Sequence, residues 1–220
     1  MESIQQIRQQ PQNLKGMDSI CLFGASGHGK VIKEIIESQG NLVLAFLDDA
    51  PKAKNMLNIP VLSSNHVNEF DSKKIIISIG QNEIRKKITQ LYQLNYATAI
   101  HTKTSISNSS TIDEGSVLMS GVVVNADATI GKHCIINSNV VVEHDCSLDD
   151  FVHISPNATI TGGVSIGEGT HVGAGAVVIP SVSIGKWVTI GAGTVILEDI
   201  PDYAVVVGNP GKIIKFTKID

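Results

Sequence analysis

Aliphatic residues recur at every sixth position in the second half of the chain, without a break over sixteen consecutive units from Ile106 to Ile196. Four residues after each of them stands a small side chain in almost every unit. A period of six matches neither a helix nor a lone strand, but it is typical of a parallel β-helix built from hexapeptide repeats. The pattern therefore predicts one short strand and one corner per unit, and three units per triangular coil.

The coils of such a β-helix stack through backbone hydrogen bonds, so residues eighteen apart are expected to lie one above the other. Both the aliphatic and the small residue of each unit should point into the prism. Glycine often follows the aliphatic residue directly, as at Gly131, Gly167 and Gly191, and we expect a sharp corner with positive φ there. A Val- and Ile-rich β-sandwich is the alternative, but it gives no reason for a fixed phase of six.

The residues before the repeats follow a different rhythm. An apolar strand over 20–23 leads through a glycine-rich turn into a helix that ends at Gly40, and a second strand follows over 42–47. After a loop, a third strand over 74–79 leads into another helix near residue 82. This order predicts a βαβ unit, and hence a Rossmann-like α/β domain over 18–100 before the β-helix domain over 101–220. Residues 1–17 are rich in Gln and are predicted to form a flexible extension or a short appended helix.

Composition and charge narrow the range of partners. A net charge of −4 and an aromatic content of 4% give no basic patch or stacking surface, so we expect no nucleic-acid partner. No stretch approaches twenty apolar residues, so we expect no membrane insertion. The three cysteines cannot all pair and fall on apolar positions, which favours a reducing, cytoplasmic location.

The glycine-rich turn is the second informative motif. It consists of Gly24, Ala25, Ser26, Gly27, His28 and Gly29. Glycines let the backbone approach a ligand closely, and amides at the start of the following helix suit a phosphate. The spacing GxxGxG differs from the dinucleotide pattern GxGxxG, and the domain is half of a dinucleotide fold. We therefore expect one nucleotide or a diphosphate here, with a purely structural turn as the alternative.

Three residues end the neighbouring strands at the same edge of the predicted sheet. Asp48 and Asp49 follow the second strand, and Gly80 follows the third. Ligands of open parallel sheets bind at this edge, so all three are candidate binding residues. Solvated loop acids and an ordinary turn glycine are the alternatives.

The histidines of the repeat region are candidates for the chemistry. His133, His144, His153 and His171 all fall outside the interior columns and are expected to point outward. A lone exposed histidine is often without function, but His144 stands between Glu143 and Asp145. A neighbouring carboxylate raises the proton affinity of an imidazole, as a general base requires.

The stacking rule also predicts the surroundings of these rings. It places Ala126 below His144 and Gly162 above it, which should leave one flank of the imidazole open for a substrate, and it places His153 under His171. No serine or cysteine stands beside His144 as a nucleophile, which disfavours a covalent intermediate on the protein. A γ-type carbonic anhydrase is a competing enzyme class, but its zinc site usually needs two histidines five apart. The separations here are 11, 9 and 18, so we expect no metal.

Taken together, residues 24–29, 46–49, 79–85, 143–145, 151–155 and 208–212 resemble the NeuD/PglD family of bacterial sugar acetyltransferases, in order over residues 19–215. The resemblance implies a left-handed parallel β-helix and a homotrimer with active sites between neighbouring β-helices. It also implies acetyl-CoA as co-substrate and a nucleotide-activated amino sugar, or sialic acid, as acceptor.

The resemblance further implies roles for individual residues. His144 would be the general base, Asp145 the carboxylate that raises its basicity, and Asn137 a residue near the reacting centre. The expected acetyl-CoA contacts are His153, Gly162, Ala174 and Ala192. The expected nucleotide-sugar contacts are Ser26, Gly27, His28, Asp48, Asp49 and Gly80.

The function that this resemblance favours is N-acetylation of a nucleotide-linked amino sugar, of the UDP-4-amino-4,6-dideoxy-N-acetylglucosamine type, for a bacterial surface glycan or glycoprotein. A sialic acid O-acetyltransferase would use the same site on a hydroxyl group. A non-enzymatic β-helix scaffold is the third hypothesis, since a fold does not dictate a function.

Overall fold

The computed structural model describes residues 18–70 and 73–217. These residues form two compact units that divide between Thr102 and Lys103. The predicted N-terminal extension, residues 1–17, lies outside the described residues. None of the helices in the described chain is long and apolar enough to cross a membrane.

The first unit is built on a small, mostly parallel sheet. Its strands are β1 Ser19–Phe23, β2 Leu42–Asp48, β3 Asn55–Met56, β4 Ile59–Ser63 and β5 Lys74–Ile77. The short β6 Ala99–Ile100 follows later in the chain and is not part of this sheet. Its helices are α1 Gly27–Ser38, a 3₁₀ helix Ser64–Phe70 and α2 Asn82–Leu91. The sheet order is β3-β4-β2-β1-β5, and all pairs except β3–β4 are parallel. The predicted Rossmann-like fold is therefore confirmed.

One strand of this sheet lies where the sequence predicts a loop. β4 pairs with β2 in parallel through Val61, Leu62 and Ser63, although Pro60 stands just before these residues. Proline is tolerated near the start of a strand because its missing N–H removes no interior ladder bond. Pro60 itself pairs with Asn55 of the edge strand β3.

Strand order places the ends of β1 and β5 side by side. β1 lies between β2 and β5. The chain therefore adds β2 and β4 on one side of β1 and β5 on the other side, which reverses the strand order between β1 and β5. Such a reversal of strand order is the point where open parallel sheets bind ligands, beyond the carboxyl ends of the strands. Gly24 follows β1 and Gly80 follows β5 closely, so both glycines flank this point. Burial raises the pKa of the Cys21 thiol in β1 to about 12, which keeps it a neutral core residue.

The second unit consists of two-residue strands, one in every six residues. They are β7 Ser105–Ile106, β8 Thr111–Ile112, β9 Val117–Leu118, β10 Val123–Val124, β11 Thr129–Ile130, β12 Ile135–Ile136, β13 Val141–Val142, β14 Ser147–Leu148, β15 His153–Ile154, β16 Thr159–Ile160, β17 Ser165–Ile166, β18 His171–Val172, β19 Val177–Val178, β20 Ser183–Ile184, β21 Thr189–Ile190 and β22 Val195–Ile196. Each pairs in parallel with the strand eighteen residues away, as Val124 does with Val142. The strands thus form the three sheets of a prism, and the predicted β-helix is confirmed.

The prism ends in a hairpin. β23 Ala204–Val207 extends one of the three sheets in parallel, and β24 Lys212–Phe216 pairs with β23 in antiparallel orientation. The interior is filled as the sequence predicts, by the aliphatic and the small column. Thr170 is a polar member of the small column and is fully buried, and its hydroxyl donates to the carbonyl of Gly185 at 2.7 Å.

The expected position of positive φ is wrong. Positive φ occurs three residues after the interior aliphatic residue, as at Asp145 with 59° and Gly163 with 72°, and not at the glycine directly after it. That glycine is needed because adjacent coils approach closely there. A Cβ on Gly131 would lie 2.8 Å from the carbonyl carbon of Asp149, and one on Gly167 would lie 2.7 Å from that of Gly185.

Candidate active site

The glycine-rich turn of the first unit is held tightly by its own chain. Gly24 has a φ of 120°, and a Cβ on Gly29 would lie 2.8 Å from the carbonyl oxygen of Gly24. The buried hydroxyl of Ser78, just after β5, donates to the same carbonyl at 2.7 Å. Gly24 and Gly29 are therefore required by the fold of the turn itself.

Gly27 and Gly80 have no such requirement. A Cβ on either residue would meet no heavy atom within 4 Å, and neither has a positive φ. Ser26 is the N-cap residue of α1, but its side chain makes no capping hydrogen bond. Open space thus lies in front of the first amides of α1 and beside Gly80, where a phosphate or a sugar can approach the backbone.

Asp48 fixes the turn from the neighbouring strand. Its Oδ2 accepts a hydrogen bond from the amide of Ala25 at 2.8 Å, and its Oδ1 accepts one from the amide of Ala50 at 2.9 Å. This structural role was not predicted from the sequence. Asp49 is exposed next to it. Contact of either carboxylate with a substrate stays a prediction.

His28, within the turn, carries a neutral imidazole. Its Nε2 is buried and has no hydrogen-bond partner in the part of the chain that the structure describes. Burial, and secondarily the charge of Arg85, lowers the pKa of His28 to about 4. A buried imidazole nitrogen without a protein partner is a suitable contact for a polar ligand.

Arg85 is a residue that sequence reasoning missed. It is 1% exposed, and its Nη1 donates to the carbonyls of Ile79 and Gly80 at 3.1 and 3.0 Å. The guanidinium thus fixes the backbone at the end of β5, where Gly80 lies. Arg85 stands three residues from both Asn82 and Ile88, on the buried face of α2. This helical spacing is the signal in the sequence that could have revealed it.

His144 and Asp145 form the candidate catalytic pair of the second unit. Nδ1 of His144 lies 2.7 Å from Oδ2 of Asp145. This hydrogen bond is the main cause that raises the pKa of His144, and the charges of Asp145 and Glu143 act in the same direction. Glu143 is held in place by Asn125, whose Nδ2 donates to its carboxylate at 2.7 Å. The sequence did not single out Asn125, although it stands eighteen residues before Glu143.

The space that the sequence predicted beside His144, next to Gly162, is occupied by the imidazole of His144. A Cβ on Gly162 would lie 2.6 Å from Cε1 of His144 and 2.7 Å from its Nε2. The imidazole therefore packs directly over Gly162. The absence of a side chain at residue 162 makes room for the catalytic candidate rather than for a substrate beside it.

Asn137 and His153 form a second cluster on another sheet. Nδ2 of Asn137 lies 3.5 Å from Nε2 of His153, and the Asn137 Oδ1 accepts a hydrogen bond from the amide of Ser138 at 2.8 Å. Asn137 follows β12 and His153 belongs to β15, which pairs with β12. His144 follows β13, which belongs to a different sheet. A single chain therefore divides these residues between two clusters.

Three of the four residues predicted to contact acetyl-CoA share one position in the repeat. Gly162, Ala174 and Ala192 each stand second after an interior aliphatic residue. The amide of the next residue, such as Gly163, donates to the preceding coil, at 2.9 Å to the carbonyl of His144. The amides of Gly162, Ala174 and Ala192 donate to no oxygen of the described residues. They are available to the carbonyl groups of a ligand.

His133 was expected to be exposed on the outside of the prism, but it is buried. It is 3% exposed, and its ring stacks on Phe151 at a centroid distance of 5.3 Å and an interplanar angle of 7°. The ring packs over Gly115 in the coil below, where a Cβ would collide with it. The ring thus lies between Gly115 and Phe151, which stand eighteen residues before and after it, and these neighbours in the stack cover it.

Within residues 18–70 and 73–217, no group of three His, Cys, Asp or Glu side chains is arranged to hold a metal ion. The rings of His153 and His171 stack at 4.8 Å. Their Nε2 atoms lie next to Asn137 and Ser155.

Known proteins match both units of the chain. Residues 19–92 match the PglD N-terminal domain family, and residues 127–162 and 163–198 match the bacterial transferase hexapeptide family. The chain is 34% identical to a mutant of perosamine N-acetyltransferase from Caulobacter crescentus, solved with CoA and GDP-perosamine. That similarity covers 93% of this chain and 99% of the other, with a TM-score of 0.86.

Two further relatives agree with this match. The acetyltransferase domain of PglB from Neisseria gonorrhoeae, solved with acetyl coenzyme A, is 36% identical, with a TM-score of 0.85 over 90% of this chain and 100% of that one. The UDP-N-acetylbacillosamine N-acetyltransferase of Bacillus subtilis (strain 168) is 40% identical over 113 residues, which span 47% of this chain and about half, 52%, of that relative. The chain belongs to the PglD family of hexapeptide-repeat sugar acetyltransferases.

Proposed function

We propose that the protein transfers the acetyl group of acetyl-CoA to the amino group of a nucleotide-linked amino sugar. The observation that carries this proposal is the His144–Asp145 pair, joined at 2.7 Å and packed over Gly162. A base of raised proton affinity beside a free backbone amide is what acyl transfer to an amine requires. The relatives solved with CoA, acetyl coenzyme A and GDP-perosamine support the same chemistry.

The first unit is proposed to bind the nucleotide sugar. The open space before Gly27 and Gly80 and the amides that begin α1 suit a diphosphate. The uncapped Ser26 and the buried Nε2 of His28 supply polar contacts beside it. Asp48 and Asp49 follow the neighbouring strand, where they would contact the sugar or the base.

In the proposed reaction, Asp145 accepts a hydrogen bond from Nδ1–H of His144, so that Nε2 is the basic atom. The amino group of the sugar loses a proton to Nε2 as its nitrogen attacks the thioester carbonyl. The amide of Gly162 donates to the oxyanion that forms. The C–N bond is then complete, the C–S bond breaks, and the CoA thiolate takes up the proton from His144.

The active unit is proposed to be a homotrimer. Asn137 and His153 would meet His144 only if the second cluster came from a neighbouring subunit. One sheet of the prism offers an apolar surface for such contact, because four of its outward positions are valines that remain partly exposed. They are Val123, Val141, Val177 and Val195. Sedimentation at micromolar concentration tests this assembly, and a monomer active at full rate would contradict it.

We place the reaction in the cytoplasm, where acetyl-CoA and nucleotide sugars are made and where the three buried, free cysteines would stay reduced. The acceptor is proposed to be a 4-amino-4,6-dideoxy sugar linked to UDP, for a bacterial surface glycan or glycoprotein. Since the perosamine N-acetyltransferase was solved with GDP-perosamine, the assay must compare acceptors that carry different nucleotides.

The test is a CoA-release assay with acetyl-CoA and a panel of UDP-, GDP- and dTDP-linked amino sugars, with free sialic acid as a hydroxyl acceptor. We expect release with one nucleotide class of amino sugar and none with sialic acid. His144→Ala should lower kcat/KM by about 10²–10⁴-fold. His66→Ala, at a half-buried histidine of the first unit that lies 2.8 Å from Glu69, is the matched control. Release with no amino sugar, or a loss below threefold in His144→Ala, would contradict the proposal.

A further inference from the structure

The rings of His153 and His171 form a stacked pair on one face of the prism. Their centroids lie 4.8 Å apart at an interplanar angle of 26°. The pairing follows from strand register, because His153 of β15 stands directly opposite His171 of β18. Outward side chains in register on paired strands are separated by about 4.8 Å, which is also the stacking distance of two flat rings.

Each ring is also held at its edge by the coil before it. Nε2 of His153 lies 3.5 Å from Nδ2 of Asn137, and Nε2 of His171 lies 2.8 Å from the hydroxyl of Ser155. Both partners stand sixteen residues before the histidine that they contact. Ser155 is 8% exposed, so the hydroxyl that fixes His171 is part of the wall of the prism.

His171 lies on the coil that separates the predicted acetyl-CoA contacts. His153 is one coil before it, Ala174 is three residues after it on the same coil, and Ala192 is one coil further on. A ligand that contacts all three passes next to His171. The better hydrogen bond of the two is the one at His171, and it fixes the ring against which His153 packs.

We propose that His171, fixed by Ser155, is a positioning residue that holds the imidazole of His153 in its contact with the acyl donor. This inference rests on the proposed function, since it assigns His153 to acetyl-CoA. It predicts that His171 acts on donor binding through His153 and has no separate effect on the amino-sugar site of the first unit.

The test is calorimetric titration of the full-length protein with CoA, together with steady-state kinetics for both substrates. His171→Ala should raise the Kd for CoA and the KM for acetyl-CoA about tenfold, and Ser155→Ala about threefold. The KM for the amino sugar should stay unchanged. His171→Phe keeps a flat ring against His153 and should restore the Kd to within about threefold of the wild type.

The decisive comparison is a double-mutant cycle. If His171 acts through His153, the His153→Ala/His171→Ala double variant should bind CoA no more weakly than His153→Ala alone. Ser183→Ala, at an outward position of another sheet, is the matched control and should bind as the wild type does. Circular dichroism and sedimentation of each variant show that fold and assembly are intact.

Additive losses in the cycle, an unchanged Kd in His171→Ala, or a His171→Phe variant as weak as His171→Ala would each overturn the positioning role. Those results leave the proposed function standing if the wild type still releases CoA with an amino sugar. A wild type that neither binds CoA nor transfers an acetyl group would overturn both proposals.

Discussion

The carboxylate of Asp145 lies 2.7 Å from Nδ1 of His144, the residue directly before it in the chain. The contact depends on the corner of the repeat, because Asp145 occupies the position of positive φ, with a value of 59°. Aspartate tolerates this left-handed conformation better than most residues. The corner of the fold and the electrostatics of the candidate base are thus set by the same residue.

Asp145→Asn is therefore an informative change. Asparagine also accepts a left-handed conformation, so the corner should survive, but the charge is lost. Because the hydrogen bond to Asp145 is the main cause that raises the pKa of His144, that pKa should fall toward its ordinary value. His144 is proposed to act in its neutral form, so the acid limb of the kcat/KM profile should move to lower pH. The rate on the plateau should fall about tenfold, since the base is weaker.

A pH–rate profile for both proteins measures this shift. Asn125→Ala, which removes the amide that holds Glu143, is the graded control. The charge of Glu143 is the smallest of the effects that raise the pKa of His144. The acid limb of the profile should therefore move less in Asn125→Ala than in Asp145→Asn. An acid limb that stays in place in Asp145→Asn would contradict the assignment of His144 as the titrating group.

The glycines of the first turn separate binding from folding. Gly27→Ala adds a Cβ where no heavy atom lies within 4 Å, so the fold should keep its melting temperature. The added methyl group would occupy the space before the first amides of α1, and the KM for the nucleotide sugar should rise about tenfold. Gly29→Ala instead places a Cβ 2.8 Å from the carbonyl oxygen of Gly24 and should cost about 1–3 kcal/mol of stability.

Thermal unfolding and steady-state kinetics of the two variants test this division. The KM for acetyl-CoA serves as the internal control in Gly27→Ala. A Gly27→Ala protein with unchanged KM for the sugar would show that this space is not used by the acceptor.

His28 gives a pH dependence to the stability of the first unit. Its pKa is about 4 in the folded chain, whereas an unfolded histidine titrates near 6.5. Between these values the unfolded chain binds a proton that the folded chain does not. The free energy of unfolding should therefore fall as pH falls from about 6.5 to about 4, by at most about 3 kcal/mol, and it should be constant above that window.

His28→Gln removes this titration. The loss of unfolding free energy between pH 7 and pH 4.5 should be smaller in the variant than in the wild type, by about 2 kcal/mol. Urea unfolding at the two pH values measures the difference. Equal dependence in wild type and His28→Gln would show that His28 is not held neutral by the fold.

The columns of the β-helix could be predicted from the sequence because the period alone decides them. Val124 lies under Val142, and His153 under His171, as the eighteen-residue rule requires. The direction in which an outward ring leans was not predictable, because neighbouring coils decide it. His133 leans over Gly115 and is buried, whereas His144 leans over Gly162 and stays exposed.

The first unit shows a second limit. The strand and helix pattern predicted the edge where Gly24, Asp48 and Gly80 meet. It did not predict that both oxygens of Asp48 bond to backbone amides or that Arg85 is buried behind Gly80. The bond between Asp48 and Ala25 joins residues 23 apart in the chain, and no periodicity or spacing records it.

Gly162→Ala tests the relation between the repeat and the base most directly. The new Cβ would lie 2.6 Å from Cε1 of His144, so the imidazole would have to move, and kcat should fall about 10²-fold. The double variant His144→Ala/Gly162→Ala distinguishes displacement of the ring from damage to the coil. Without the ring the methyl group fits, so the double variant should be no less active and no less stable than His144→Ala alone. An additional loss of activity in the double variant would show that the methyl group disturbs the coil or the donor site itself, and does not act only by displacing the ring of His144.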